Sequence, residues 1–178
     1  MSERKQNKKI DKRAPVIVGV GDLVDRSKED GLNPQELLAK ACEHAIQDSG
    51  IKELSKHIDY VGVVRFTVDF LTATNQSNFQ YSNFPRTLAN KLNISAKNEV
   101  YAPMGGNSPQ VLLEDALVKI STGETDCALL SGGEALQTMI AKLKAGMSLD
   151  WLDEPGGSPE MIGNCLLYTS PSPRDSDS

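Results

Sequence analysis

The strongest constraint on how this chain folds is a regular alternation. Short β-branched or apolar runs recur along it, and stretches with helical apolar spacing stand between them. Val16-Ile-Val-Gly-Val20, bounded by Pro15 and Gly21, has the pattern of a strand buried on both faces. Asn33-Pro34-Gln35-Glu36 then opens a helix with three signals: a capping side chain, proline in the first turn and glutamate three residues after the cap. Its apolar stripe is Leu37, Leu38, Ala41, Cys42, Ala45 and Ile46, and Gly50 supplies the stop. Ile58 to Val64 reads as a second strand, Pro85 to Leu92 as a helix, and Asn98 to Ala102 as a third strand. The polar stretch from Phe66 to Phe84 reads as a loop with one short helix. Pro103 to Pro109 is a glycine turn feeding a helix to Thr122, stopped by Gly123, with Val111, Leu112, Ala116, Leu117 and Ile120 on its apolar face. Asp126 to Leu130 is a fourth strand, and Ser131-Gly-Gly-Glu134 turns into a helix from Ala135 to Lys144. Strand and helix alternating four times specify an α/β fold, a mostly parallel sheet with helices on both faces.

Composition limits the function classes. At 178 residues the length suits one domain, expected over residues 14–163. A net charge of -5 is too acidic for a nucleic-acid binder, and no apolar run reaches the length of a spanning helix. The expectation is a cytoplasmic protein with no membrane or nucleic-acid partner. Residues 1–13 carry six basic side chains against two acidic ones and read as a solvated arm. Residues 164–178 have no apolar period and read as disordered. Within them, Cys165 to Asp175 resembles a translated vector or adaptor read-through, so the natural protein is expected to part from this sequence near Gly163. Cys42, Cys127 and Cys165 form no CxxC pair, and with two histidines they give no metal site.

Two glycine turns invite chemistry. Gly19-Val-Gly21 follows a run of strand character, but Val24 stands where a dinucleotide fingerprint needs its third glycine. Gly105 and Gly106 end a strand and lead into a helix, a place where free backbone N–H groups and the positive end of the helix dipole meet. Such a turn stabilises an anion or a developing oxyanion. Gly105, Gly106, Asn107 and Ser108 are therefore the candidate substrate-binding residues, with Ser108 also fitting as the helix N-cap. Cys42 and Cys127 fall on apolar positions and read as packing residues; His44 and His57 have no partner motif.

These segments, taken in order, resemble the N-terminal half of a thiolase, closest to the sterol-carrier-type and bacterial thiolase-like branch. Val16 to Gly21 resembles its opening strand, Gly105 to Leu112 its nucleophile segment, and Ile120 to Glu134 its run of helix, G-x-x-D, strand and GG-x-E. The matches span Ala14 to Gly146. The resemblance implies half of a five-layered αβαβα fold and an acetyl-CoA acetyltransferase-like activity of lipid metabolism, with a coenzyme A thioester as substrate and no bound cofactor. It also implies a homodimer that pairs through Asn98 to Ala102, and a loop region over the acyl pocket beginning at Met139, Leu143, Met147, Leu149 and Trp151. Thiolases carry a cysteine at the start of the helix, in a pattern like C-x-S-G. Laid on Ser108, that pattern puts Gly106 at the nucleophile position and Pro109 at the final glycine, so no catalytic residue is assigned. The alternative is a non-catalytic acyl-CoA-binding protein or partner subunit. In either case the fragment is expected to be inactive alone. Val111, Leu112, Leu113, Leu117, Val118 and Ile120 surround their helix with apolar side chains, so a chain ending near Gly163 is expected to expose one face and to associate.

Overall fold

In the computed structural model, residues 12–67, 69 and 81–163 are described. Four strands form one parallel sheet: β1 (Tyr60–Val64), β2 (Asn98–Ala102), β3 (Ala128–Ser131) and β4 (Glu160–Met161), in the order β3-β1-β2-β4. Among the described residues four α-helices accompany them: α1 (Pro34–Asp48), α2 (Phe84–Lys91), α3 (Ser108–Thr122) and α4 (Leu136–Lys144). The expected architecture holds, a parallel sheet covered on both faces. The strand pleat explains it: Val61 and Val63 face Leu38 and Cys42 of α1 and Phe84 and Leu88 of α2, whereas Tyr60 faces Leu112 and Ala116 of α3. Helix boundaries fall within one or two residues of the expected ones. Asn33 and Glu36 form the reciprocal capping box, and Gly123, at φ +80°, ends α3 in the left-handed conformation that glycine adopts without strain.

The starts of the strands are organised by Asp59. Its carboxylate accepts from the N–H groups of Asp126 and Cys127, and its carbonyl accepts from those of Lys97 and Asn98. One residue before β1 thus fixes where β2 and β3 begin. This explains why β1 starts at Tyr60 rather than at Ile58, and β3 at Ala128 rather than at Asp126.

The expected opening strand does not form. Val16 to Val20 pairs with no strand, and Val16 and Ile17 are 75% and 77% exposed. The flanking glycines give the reason. A Cβ added at Gly19 would stand 2.2 Å from the Ala45 carbonyl oxygen, and one at Gly21 would stand 2.3 Å from that of Ala41. The segment lies against the backbone of α1, with the Val20 N–H donating to Asp48 and His44 Nδ1 2.9 Å from the Asp22 carbonyl oxygen. β1 pairs directly with β3 instead.

Two further expectations change. Asn107, not Ser108, precedes the first helical residue of α3 and makes no side-chain capping bond, and Ser108 is itself buried in the first turn. The mostly exposed stretch from Asp150 to Pro159 is held in place at several points: Trp151 is buried, Asp153 bridges to Tyr81 and accepts from Thr87, and Arg86 donates to the Gly156 carbonyl. Of the five apolar residues from Met139 to Trp151, Met139, Leu149 and Trp151 join the core while Leu143 and Met147 are exposed. The short helix expected between Phe66 and Phe84 falls mostly outside the described residues, as do most of the 1–13 arm and all of the 164–178 tail.

Candidate functional site

In a parallel sheet the strand ends that carry loops toward ligands are the C-terminal ones. Here those of β1, β2 and β3 open onto a cleft of about 760 Å³. Two glycine pairs form its polar wall: Gly105 and Gly106, after β2, and Gly132 and Gly133, after β3. None of these four N–H groups donates to an acceptor among the described residues. Each pair also leads into the N-terminus of a helix, α3 or α4. Donors without acceptors, backed by two helix dipoles, favour an oxygen carrying negative or partly negative charge.

The candidate residues named from sequence separate in space. Gly105 and Gly106 line the cleft; Asn107 and Ser108 do not, Asn107 being exposed and Ser108 buried beneath the turn. The two glycines are not equivalent. A Cβ at Gly105 would meet Ser108 Oγ at 3.2 Å and Asn107 Oδ1 at 3.3 Å, whereas one at Gly106 would meet nothing within 4 Å. Position 106 therefore has room for a side chain but carries none. Gly132, Gly133 and Glu134, legible in the sequence as a turn and as part of the family resemblance but not as site residues, also line the cleft; the parallel register Val63 to Ser131 brings their loop beside the exit of β1.

Cys42 and Cys127 are not activated nucleophiles. Cys42 lines the wall, but burial pushes its thiol up to about 11, only partly offset by a hydrogen bond with Ser131. Burial also raises the Cys127 thiol, and Asp59 and Asp126 add to the effect. Both are thiols rather than thiolates at neutral pH. His44 and His57 do not line the cleft.

Among the described residues, two charged ones line it, Arg65 and Glu134. The Arg65 guanidinium sits 3.1 Å from Asp69, itself only 4% exposed, and stacks 4.8 Å from the centre of the Tyr101 ring. Tyr101 OH donates to the same carboxylate at 2.9 Å, and burial, with Asp69 second, holds that phenol well above its usual range. Glu134 accepts from the Thr67 N–H at 2.6 Å and from Thr67 Oγ1 at 2.7 Å, tying the loop after β3 to the loop after β1. Among the described residues, no cluster of histidine, cysteine, aspartate or glutamate side chains could hold a metal ion, and no helix is long and apolar enough to cross a membrane.

No protein-family model matches the chain, and neither does any curated protein sequence. Among solved structures it is similar to a monomeric SCP2-thiolase like protein type 1 from Mycobacterium smegmatis, at 32% sequence identity and a TM-score of 0.54. The match covers 70% of this chain and 24% of that one, so the chain corresponds to about a quarter of the similar structure. The order of elements, the two-faced parallel sheet and this likeness together identify the fold as thiolase-like.

Proposed function

We propose that the chain belongs to a thiolase-like protein that binds acyl-CoA, with the thioester carbonyl oxygen received by the amides of Gly105, Gly106, Gly132 and Gly133. The observation that supports this is that four glycines whose N–H groups meet no acceptor among the described residues line one cleft, each pair shortly before a helix and one of them beside an open position at Gly106. Amides aimed at a carbonyl oxygen stabilise the charge that develops there when the thioester is attacked, a contribution of about 3–4 kcal/mol per donor in enzymes that use it.

Two uses of such a site differ in the sulfur. Acyl transfer of the acetyl-CoA acetyltransferase type, in lipid metabolism, needs a nucleophile in the whole protein. Binding without a covalent step, as an acyl-CoA-binding protein or partner subunit, needs none. The bare Gly106 position and the raised thiols of Cys42 and Cys127 favour the second. The cytoplasm is the compartment this role suits. A homodimer through β2 has less support: the similar structure is described as monomeric, and here Val100 and Tyr101 of β2 already pair with β4.

Titration of the chain with octanoyl-CoA, followed by calorimetry and by release of free coenzyme A, tests the proposal. Saturable binding without release is expected, and Gly106→Phe, which fills the open position, should weaken it at least tenfold. Absence of saturable binding, or equal affinity in Gly106→Phe, would rule the site out.

A further inference from the structure

We propose that Glu134 sets the ligand specificity of the cleft: held by Thr67, its carboxylate reserves the glycine amides for the neutral carbonyl of a thioester and turns away the free carboxylate of the same acyl chain. This rests on the thioester site proposed above. Donor amides at helix N-termini, taken alone, would hold a carboxylate more strongly than a carbonyl. A site meant for thioesters in a cell containing fatty acids therefore needs a counterweight.

The cleft contains one. Glu134 directly follows Gly132-Gly133, so the turn that presents two of the amides also carries the carboxylate. Its hydrogen bonds to the described residues, 2.6 and 2.7 Å long, both come from Thr67 and both fall on Oε1. Thr67 is neutral, so these bonds fix the carboxylate without cancelling its charge. Arg65, the other charged group on the wall, is balanced by Asp69 at 3.1 Å. Among the described residues, the lining thus keeps one negative charge with no cation paired to it. A carboxylate reaching the amides would meet it as a like charge; a thioester oxygen, carrying only a partial charge, would meet it far more weakly. At the effective dielectric of a partly exposed site, like charges about 6 Å apart reduce affinity roughly tenfold or more, and salt lessens the effect.

The test compares octanoate with S-octanoyl-N-acetylcysteamine, which share an acyl chain and lack the nucleotide, by calorimetry on the full chain at low and at high ionic strength. In Glu134→Gln the side-chain oxygen can still accept from Thr67 but the charge is gone. The ratio of the two dissociation constants, octanoate over thioester, should fall about tenfold at low salt and less at high salt. Thr67→Ala loosens the tie but keeps the charge, so it should retain the wild-type ratio; thermal unfolding reports whether each variant is folded. An unchanged ratio in Glu134→Gln, or an equal fall in Thr67→Ala, would reduce Glu134 to a loop tie and overturn the proposal while leaving the thioester site standing. If the thioester fails to bind wild-type protein, that site and this proposal fall together.

Discussion

At Gly62, in the middle of β1, the sheet leaves no room for a methyl group. A Cβ there would lie 2.7 Å from Leu112 Cδ1 and 2.8 Å from the Tyr60 ring, both buried. Gly62→Ala should cost about 1–3 kcal/mol as overpacking, whereas Gly106→Ala, in open space, should stay within about 0.5 kcal/mol of wild type; urea unfolding of both variants makes the comparison. Cys42 gives a pH-dependent expectation. Burial raises its thiol to about 11 in the folded chain against an ordinary value of 9.0, so the folded state holds the proton more tightly. That contribution to stability is fully present below pH 9 and is lost as the pH rises from there through about 11. Peptide mapping after iodoacetamide treatment should therefore find Cys42 unmodified in folded protein at pH 8, with labelling rising steeply toward pH 11. Rapid labelling at pH 8 would contradict the burial.

Elements whose signals are local were legible from the sequence. The capping box of α1 is written in Asn33, Pro34 and Glu36, and it forms. Asn33→Ala should remove about 1 kcal/mol of stability, read as a shift of the unfolding midpoint. Val16 to Val20 shows where such reading stops. Its β-branched composition expresses strand preference, but Gly19 and Gly21 allow the backbone to lie on α1, a contact set by Ala41 and Ala45, far along the sequence. Asp59 was equally invisible: a lone acid before a strand says nothing of the four N–H groups it gathers from two distant loops. Asp59→Ala should leave the Asp126 and Cys127 N–H groups unpaired, while the backbone carbonyl still holds Lys97 and Asn98, and cost about 2–3 kcal/mol, measured by chemical denaturation. A loss below about 0.5 kcal/mol would mean that water replaces the carboxylate. Half the cleft was legible, the Gly105-Gly106 turn; Gly132, Gly133 and the Thr67–Glu134 tie needed the β1–β3 register to bring them there.

Across the molecule, the apolar surface is unevenly covered. Leu112 and Ala116 of α3 pack on the sheet, but Leu113, Leu117 and Val118, the last 59% exposed, face outward. Leu113 and Leu117 share a groove with Val16, Ile17 and Val18, so exposed aliphatic residues from two segments adjoin. Sedimentation velocity should show concentration-dependent association, relieved by the double change Leu117→Glu and Val118→Glu; a monodisperse wild-type monomer would contradict it. The cleft lies apart from these side chains, at the C-terminal ends of the strands. What most needs testing there is that position 106 faces a thioester held by glycine amides and supplies nothing to attack it. Intact-mass spectrometry after incubation with octanoyl-CoA tests this directly. Wild-type protein should gain no mass. Gly106→Cys should gain one hydroxylamine-labile octanoyl group, and Gly105→Cys, crowded by Asn107 and Ser108, should gain none. An octanoyl adduct on wild-type protein, or its absence from Gly106→Cys, would contradict the site as described.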